Sequence, residues 1–185
     1  PSGTYVTDDY IVTHNSFGIA FKLLAFLLAI QIYSNRKRGP VRILVLSTSK
    51  EQMIPLMEKL WAMLPRGDVC RSLRKRNGRT IVEPLEFVDG FGFTGKPPRI
   101  YFHAGPAKGS LVQFATYKQG SGRIAGGTFD LVILDEPPPE KVWGEVLPRV
   151  MSKGGDIWVT FTPTPDSPDL KYMRDLVKMG PEKPG

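Results

Sequence analysis

The sequence predicts an α/β fold built on a mostly parallel sheet with flanking helices. Three observations carry that expectation. Leu131-Val132-Ile133-Leu134 is an apolar run without polar alternation, the pattern of a strand buried on both faces. Residues 41–47 (Val-Arg-Ile-Leu-Val-Leu-Ser) repeat it and lead into a helix-forming stretch at 50–64, with Thr48 and Ser49 placed to cap it. Strand, helix, strand, helix in that order implies right-handed crossovers between parallel strands. At 185 residues with 41% hydrophobic content, the chain is long enough for one such domain with a core of its own.

The net charge of +7 favours a polyanionic partner, with nucleic acid ahead of membrane because no amphipathic basic helix stands out. A single cysteine, Cys70, rules out an internal disulfide framework, suits a reducing compartment and has no metal-ligand spacing around it. The apolar run at 17–32 is shorter than a bilayer span and is interrupted by Lys22 and Gln31, so neither a signal peptide nor a membrane helix is expected. The chain is expected to be cytosolic. It starts at Pro1 and ends in the linker-like Gly180-Pro181-Glu182-Lys183-Pro184-Gly185, the composition of a piece of something longer.

Taken in order, residues 3–15 alternate like a strand near its end and then meet Ser16, where a long helix is expected to run to residue 35 and stop at Gly39-Pro40. The plain reading is strand, turn with Asn15 near an N-cap, helix. A sharper one is that Tyr10-Ile11-Val12-Thr13-His14-Asn15 followed by Ser16 resembles the C-terminal splice junction of an intein. By that resemblance Asn15 cyclises to break the chain, His14 assists, and Ser16 is the first residue of the downstream host and supplies the hydroxyl nucleophile. In a P-loop, Gly-x-x-x-x-Gly-Lys-Ser/Thr lies between a strand and a helix, and Ser16 stands where the Ser/Thr belongs while His14-Asn15 stand where Gly-Lys should be. Inteins interrupt P-loops at such a point, so the two resemblances explain each other; a degenerate P-loop and an unrelated turn are the alternatives.

Between 66 and 79 lies the densest basic stretch, Arg66, Arg71, Arg74, Lys75, Arg76 and Arg79 against Asp68 alone, either a phosphate-contacting surface or a solvated loop. Short strand-like runs at 79–82, 86–88, 99–102 and 111–115, parted by Gly and Pro, suggest hairpins inserted in or flanking the main sheet. Among them Gly90-Phe91-Gly92-Phe93-Thr94-Gly95-Lys96-Pro97 imitates a P-loop. It puts Pro97 where a hydroxyl is required and leads into a strand rather than a helix, so it is rejected.

The apolar strand near 131 ends in Asp135-Glu136 and is stopped by Pro137-Pro138-Pro139, which places two carboxylates at the carboxyl end of a buried strand, where open α/β sheets bind ligands. A solvated acidic turn is the bland alternative. In P-loop ATPases the same arrangement is the Walker B element, whose Asp holds Mg²⁺ and whose Glu, in one large branch, activates the attacking water. The glycine-rich 117–128 segment leads into this strand, and its Arg123 is either an arginine finger reaching a γ-phosphate or a structural salt-bridge partner. A helix at 141–150 with Trp143, Val146, Leu147 and Val150 on its apolar face, then a strand at 157–161 ending Thr162-Pro163-Thr164-Pro165, complete the expected core.

Ser110 through Gly120, Phe129 through Glu136 with Pro137-Pro138, then Glu145, Arg149 and Thr160-Phe161-Thr162-Pro163, together resemble the ATPase half of a phage terminase large subunit, over about residues 16–172. The resemblance implies a partial P-loop NTPase core of the additional-strand, RecA-like kind, an ATP-hydrolysing motor that moves double-stranded DNA into a capsid. It implies that Asp135 and Ser16 hold Mg²⁺, Glu136 activates water, Thr160 and Thr162 form the coupling motif beside the nucleotide, and Arg123 is a candidate finger. ATP and Mg²⁺ are the implied cofactors. The implied partners are DNA, a portal protein, a small terminase subunit and further copies in a ring, in the cytoplasm of a bacterial host and on the procapsid. Residues 1–15 are then an intein remnant, 16–172 an ATPase core lacking its first strand and P-loop, and 173–185 a linker toward an absent nuclease domain, so that this chain alone should turn over ATP poorly or not at all. A superfamily 2-type helicase core, disfavoured by Pro137-Pro138 and Thr-Pro-Thr, and a basic DNA-binding scaffold with a decayed nucleotide site are the competing expectations.

Overall fold

The structure is a computed structural model that describes residues 5–7, 10–12, 16–27, 39–65, 67, 69–119 and 127–160. Seven strands form one sheet in the order β11-β10-β3-β9-β8-β4-β5. These are β3 (Arg42–Ser47), β4 (Cys70–Arg76), β5 (Arg79–Pro84), β8 (Arg99–Phe102), β9 (Leu111–Thr116), β10 (Leu131–Asp135) and β11 (Asp156–Thr160). The first four in that order are mutually parallel, and β8, β4 and β5 extend them antiparallel, which leaves five of the seven running one way. Two small antiparallel pairs stand apart, β1 (Tyr5–Thr7) with β2 (Tyr10–Val12), and β6 (Phe87–Val88) with β7 (Gly92–Phe93). The expected α/β architecture is present.

Each face of the parallel strands is covered, as their apolar runs require. Alternate residues Ile43, Val45, Val112, Phe114, Leu131 and Ile133 pack against α1 (Ser16–Leu27), through Ile19, Ala20, Leu23 and Leu27, and against α2 (Lys50–Met63), through Met53, Leu56, Met57 and Leu60. The intervening residues Leu44, Leu46, Val132 and Leu134 face α3 (Glu140–Met151), through Val142, Val146 and Val150. Helix α2 opens on Ser49, whose hydroxyl accepts from the Gln52 amide at 3.3 Å, the cap expected from the sequence. In α3 the buried stripe is Val142, Val146 and Val150, one turn apart; Trp143 and Leu147, expected on that stripe, lie at its margin, half-buried.

Two readings of the middle of the chain change. Residues 111–115, expected among the hairpins, do form an antiparallel hairpin with β8, but their other edge pairs in parallel with β3, so β9 is interior to the sheet rather than a flanking strand. The basic stretch from Cys70 to Arg76 is a strand rather than a loop, paired in antiparallel register with β5 from Arg71 to Arg76, with Cys70 and Ser72 buried. The rejected P-loop imitation falls on β7 and the approach to β8, with no helix after it. Gly155 lets β11 begin tight against β10: a Cβ there would sit 2.6 Å from the Asp130 carbonyl oxygen. Among the described residues no helix is long and apolar enough to cross a membrane.

Candidate functional site

Register decides what stands beside Asp135. It is paired in parallel with Ser47 of β3 on one side and Thr160 of β11 on the other, and Ser47 is in turn paired with Thr116 of β9. In-register residues of parallel strands project to the same face, here the one covered by α1 and α2. A row Thr116, Ser47, Asp135, Thr160 therefore crosses the carboxyl edge of four parallel strands, one carboxylate among three hydroxyls. The row stands where ligands bind in open α/β sheets.

Thr160 Oγ1 lies 3.2 Å from Asp135 Oδ1 and 3.4 Å from the Leu134 carbonyl oxygen, and its single proton can serve one of them at a time. Ser47 Oγ favours the charged form of Asp135, yet it is fully buried and makes no hydrogen bond of good geometry among the described residues. Burial pushes the Asp135 carboxyl above the ordinary aspartate value, while the Thr160 and Ser47 hydroxyls pull it back down. Among the described residues the groups acting on this half-buried carboxylate are the neutral hydroxyls of Thr160 and Ser47.

Glu136 follows with φ 79°, one of two non-glycine residues with positive φ among those described. That conformation is costly for an L-residue and clusters at functional sites. Two constraints impose it. The Glu136 amide donates to the Thr160 carbonyl oxygen at 2.7 Å, prolonging the β10–β11 ladder, and the Tyr117 hydroxyl bridges the Asp135 carbonyl oxygen at 3.2 Å and the Glu136 carbonyl oxygen. Tyr117, almost wholly buried just past β9, thus clamps the turn from the neighbouring side of the sheet.

The structure brings Asp135, Glu136 and Thr160 together as expected. Ser16 is the first residue of α1, on the same sheet face as Asp135. His14, Asn15, Arg123 and Thr162 lie outside the described residues. Arg149, which the motif spacing had drawn in, sits at the opposite edge: its Nε donates to the Glu145 carbonyl oxygen at 2.9 Å, and its own carbonyl oxygen accepts from Phe129. There it lines a cleft of about 510 Å³ with Arg42, Thr128 and Glu145, away from Asp135. Sequence reasoning missed Ser47 and Tyr117. Ser47 ends one predicted strand and Tyr117 follows another, but only the strand order, with β3 between β10 and β9, puts them near Asp135.

Among the described residues no three His, Cys, Asp or Glu side chains cluster as a metal cage. One carboxylate plus hydroxyls is an oxygen-only donor set of low charge, which fits Mg²⁺ arriving with phosphate ligands rather than a cation caged by protein alone. Cys70 is buried, and burial lifts its thiol to about 11, so it is inert.

No protein-family model matches the chain, and no curated protein matches it. Among solved structures, the large terminase ATPase domain of Thermus phage P74-26 is similar in fold, with a TM-score of 0.51 and 13% sequence identity. The likeness covers 85% of this chain and 58% of that one.

The strain at Glu136 is measurable. Glu136→Gly is expected to be more stable than Glu136→Ala by about 1 kcal/mol in urea denaturation, since only glycine adopts positive φ without cost. Equal stabilities, or a less stable glycine variant, contradict a strained turn.

Proposed function

We propose that this chain is the nucleotide-hydrolysing core of a DNA-translocating motor of the phage terminase type. The observation that carries the reading is the polar row at the sheet edge, with the carboxylate of Asp135 bonded to Thr160 and Glu136 held next to it in a strained turn. The shared fold with a terminase ATPase domain supports it.

In this reading ATP is the substrate, and Asp135 and Ser16 hold the Mg²⁺ that comes with it. The ion supplies charge neutralisation on the phosphate oxygens when bound. Glu136 accepts a proton from the attacking water as its oxygen bonds to the γ-phosphorus; the bond to the β,γ-bridging oxygen breaks, and ADP leaves with that electron pair. Thr160, whose hydroxyl can donate to either the Asp135 carboxylate or the β10 backbone, and Thr162 beyond it relay the state of the nucleotide to the rest of the domain. Arg123 is the candidate finger. The portal, small-subunit and ring-forming contacts, and the setting on a procapsid in a bacterial cytoplasm, come with the terminase reading.

The phosphate-binding Gly-Lys is proposed to lie upstream and to be joined to Ser16 by splicing at Asn15. Mass spectrometry of a precursor with its upstream segment is expected to show release after Asn15 and a ligated product, with Asn15→Ala blocking the release. An unprocessed wild-type precursor contradicts the splice junction.

For the ligated protein, DNA-stimulated ATP hydrolysis is the direct assay. Glu136→Gln is expected to lower kcat by on the order of 10²-fold or more while nucleotide binding persists. Undiminished turnover removes Glu136 as the base, and DNA binding without any turnover in the wild type points instead to a scaffold with a decayed site.

A further inference from the structure

The antiparallel end of the sheet carries a feature the hydrolytic site does not use. β4 and β5 form a hairpin closed by Asn77-Gly78, with φ 51° and 74°, a turn whose twist suits a two-residue connection. β4 pairs with β8 only at Cys70 and Arg71, whereas its pairing with β5 runs on to Arg76↔Arg79. The distal part is therefore a two-stranded ribbon that outruns the sheet.

Its direction follows from the register. Arg71 is level with Tyr101, and Tyr101 with Leu111. β4 and β9 run the same way, so five residues further on Arg76 comes level with Thr116, and hence with Ser47 and Asp135. The ribbon tip projects from the same edge of the sheet as the acidic site. It stands four strands from β10, roughly 19 Å at ~4.8 Å per strand.

Residues 70–82 contain five cations, Arg71, Arg74, Lys75, Arg76 and Arg79, and no carboxylate. At the root Arg74 is pinned by ion pairs with Glu83 at 3.1 Å and Glu86 at 3.2 Å. At the tip Arg76 and Arg79 are exposed, directly opposite each other, and neither has an ion pair among the described residues. Like charges facing across a ladder are destabilising. Guarding a sheet edge does not explain them, because that role wants charge along the edge strand, and β5 continues as Thr80, Ile81 and Val82, with Val82 46% exposed.

We propose that this ribbon is a docking surface for duplex DNA, contacting phosphates through Arg76 and Arg79. A two-stranded ribbon fits the major groove of a duplex. No aromatic side chain lies between Cys70 and Pro84 to stack on unpaired bases, and the Asn-Gly tip has nothing apolar to insert into lipid. The assignment deepens the motor reading by naming the face that grips the DNA, on the edge where nucleotide chemistry would be felt.

The test is duplex binding by fluorescence anisotropy over a salt series, without nucleotide, so that a failed ATPase leaves it intact. Arg76→Gln/Arg79→Gln is expected to weaken binding on the order of tenfold and to reduce the slope of log affinity against log salt by about 2. Lys59→Gln/Lys108→Gln, which removes the same charge from exposed positions elsewhere, is expected to leave both within about twofold of wild type. An unchanged affinity in the ribbon variant, equal losses in the two variants, or a wild-type preference for single strands each overturns the proposal.

Discussion

β10 is held on both sides by parallel partners in a register that fixes where its carboxylates fall. Residues Leu131 to Leu134 are wholly buried, so the strand cannot slide without moving core side chains to the wrong face. The same ladder that fills both layers of the core also aligns Ser47 and Thr160 with Asp135. At the other end the strand is pinned by Asp130, whose carboxylate accepts from the Arg42 amide at 2.7 Å and from Lys153 at 3.2 Å, while Asp156 donates its amide to the Asp130 carbonyl oxygen. Core packing and site geometry are thus one constraint read at two ends of a strand.

The site itself is a local cost that this frame sustains. Asp135 is desolvated, which raises its carboxyl, and a raised native value means that the charged form detracts from stability above it; protonation or an arriving cation relieves that. Glu136 adds backbone strain, held in place by Tyr117 and by the Thr160 carbonyl oxygen. Desolvated charge beside a strained backbone, supported by rigid strands, is the physical ground on which Asp135 and Glu136 are proposed as a site.

Where burial was complete, the sequence was easy to read. The runs ending at Ser47 and Asp135 are apolar on both faces, and the Ser49 cap and the prolines after Glu136 punctuate them; the parallel sheet with flanking helices followed, though not its strand order. β9 was harder. Gln113 interrupts its apolar run and glycines precede it, so it read only as the hairpin strand that it is toward β8, and its parallel pairing with β3 was not legible; Gln113 accepts there from Arg99 Nε at 3.1 Å. β4 has so many cations that periodicity is lost, and its strand character comes from pairing with β5. Of the site, Asp135, Glu136 and Thr160 were legible because motif order follows strand order. Ser47 and Tyr117 depend on which strands are neighbours, and where Arg149 falls depends on which edge of the sheet α3 reaches, which spacing along the helix does not say.

The sheet carries an oxygen-rich row with one carboxylate on its parallel strands and a cationic ribbon on its antiparallel ones, both at one edge. The central claim is that the row through Asp135 receives a divalent cation and its phosphate ligands. Paramagnetic broadening of backbone amides by Mn²⁺, added alone and with a non-hydrolysable ATP analogue, tests it most directly. Preferential broadening at Ser47, Asp135 and Thr160, with Arg42, Leu131 and Asp156 at the far ends of the same strands spared, is the predicted result. Uniform broadening, or broadening centred on the Arg42 end, contradicts it.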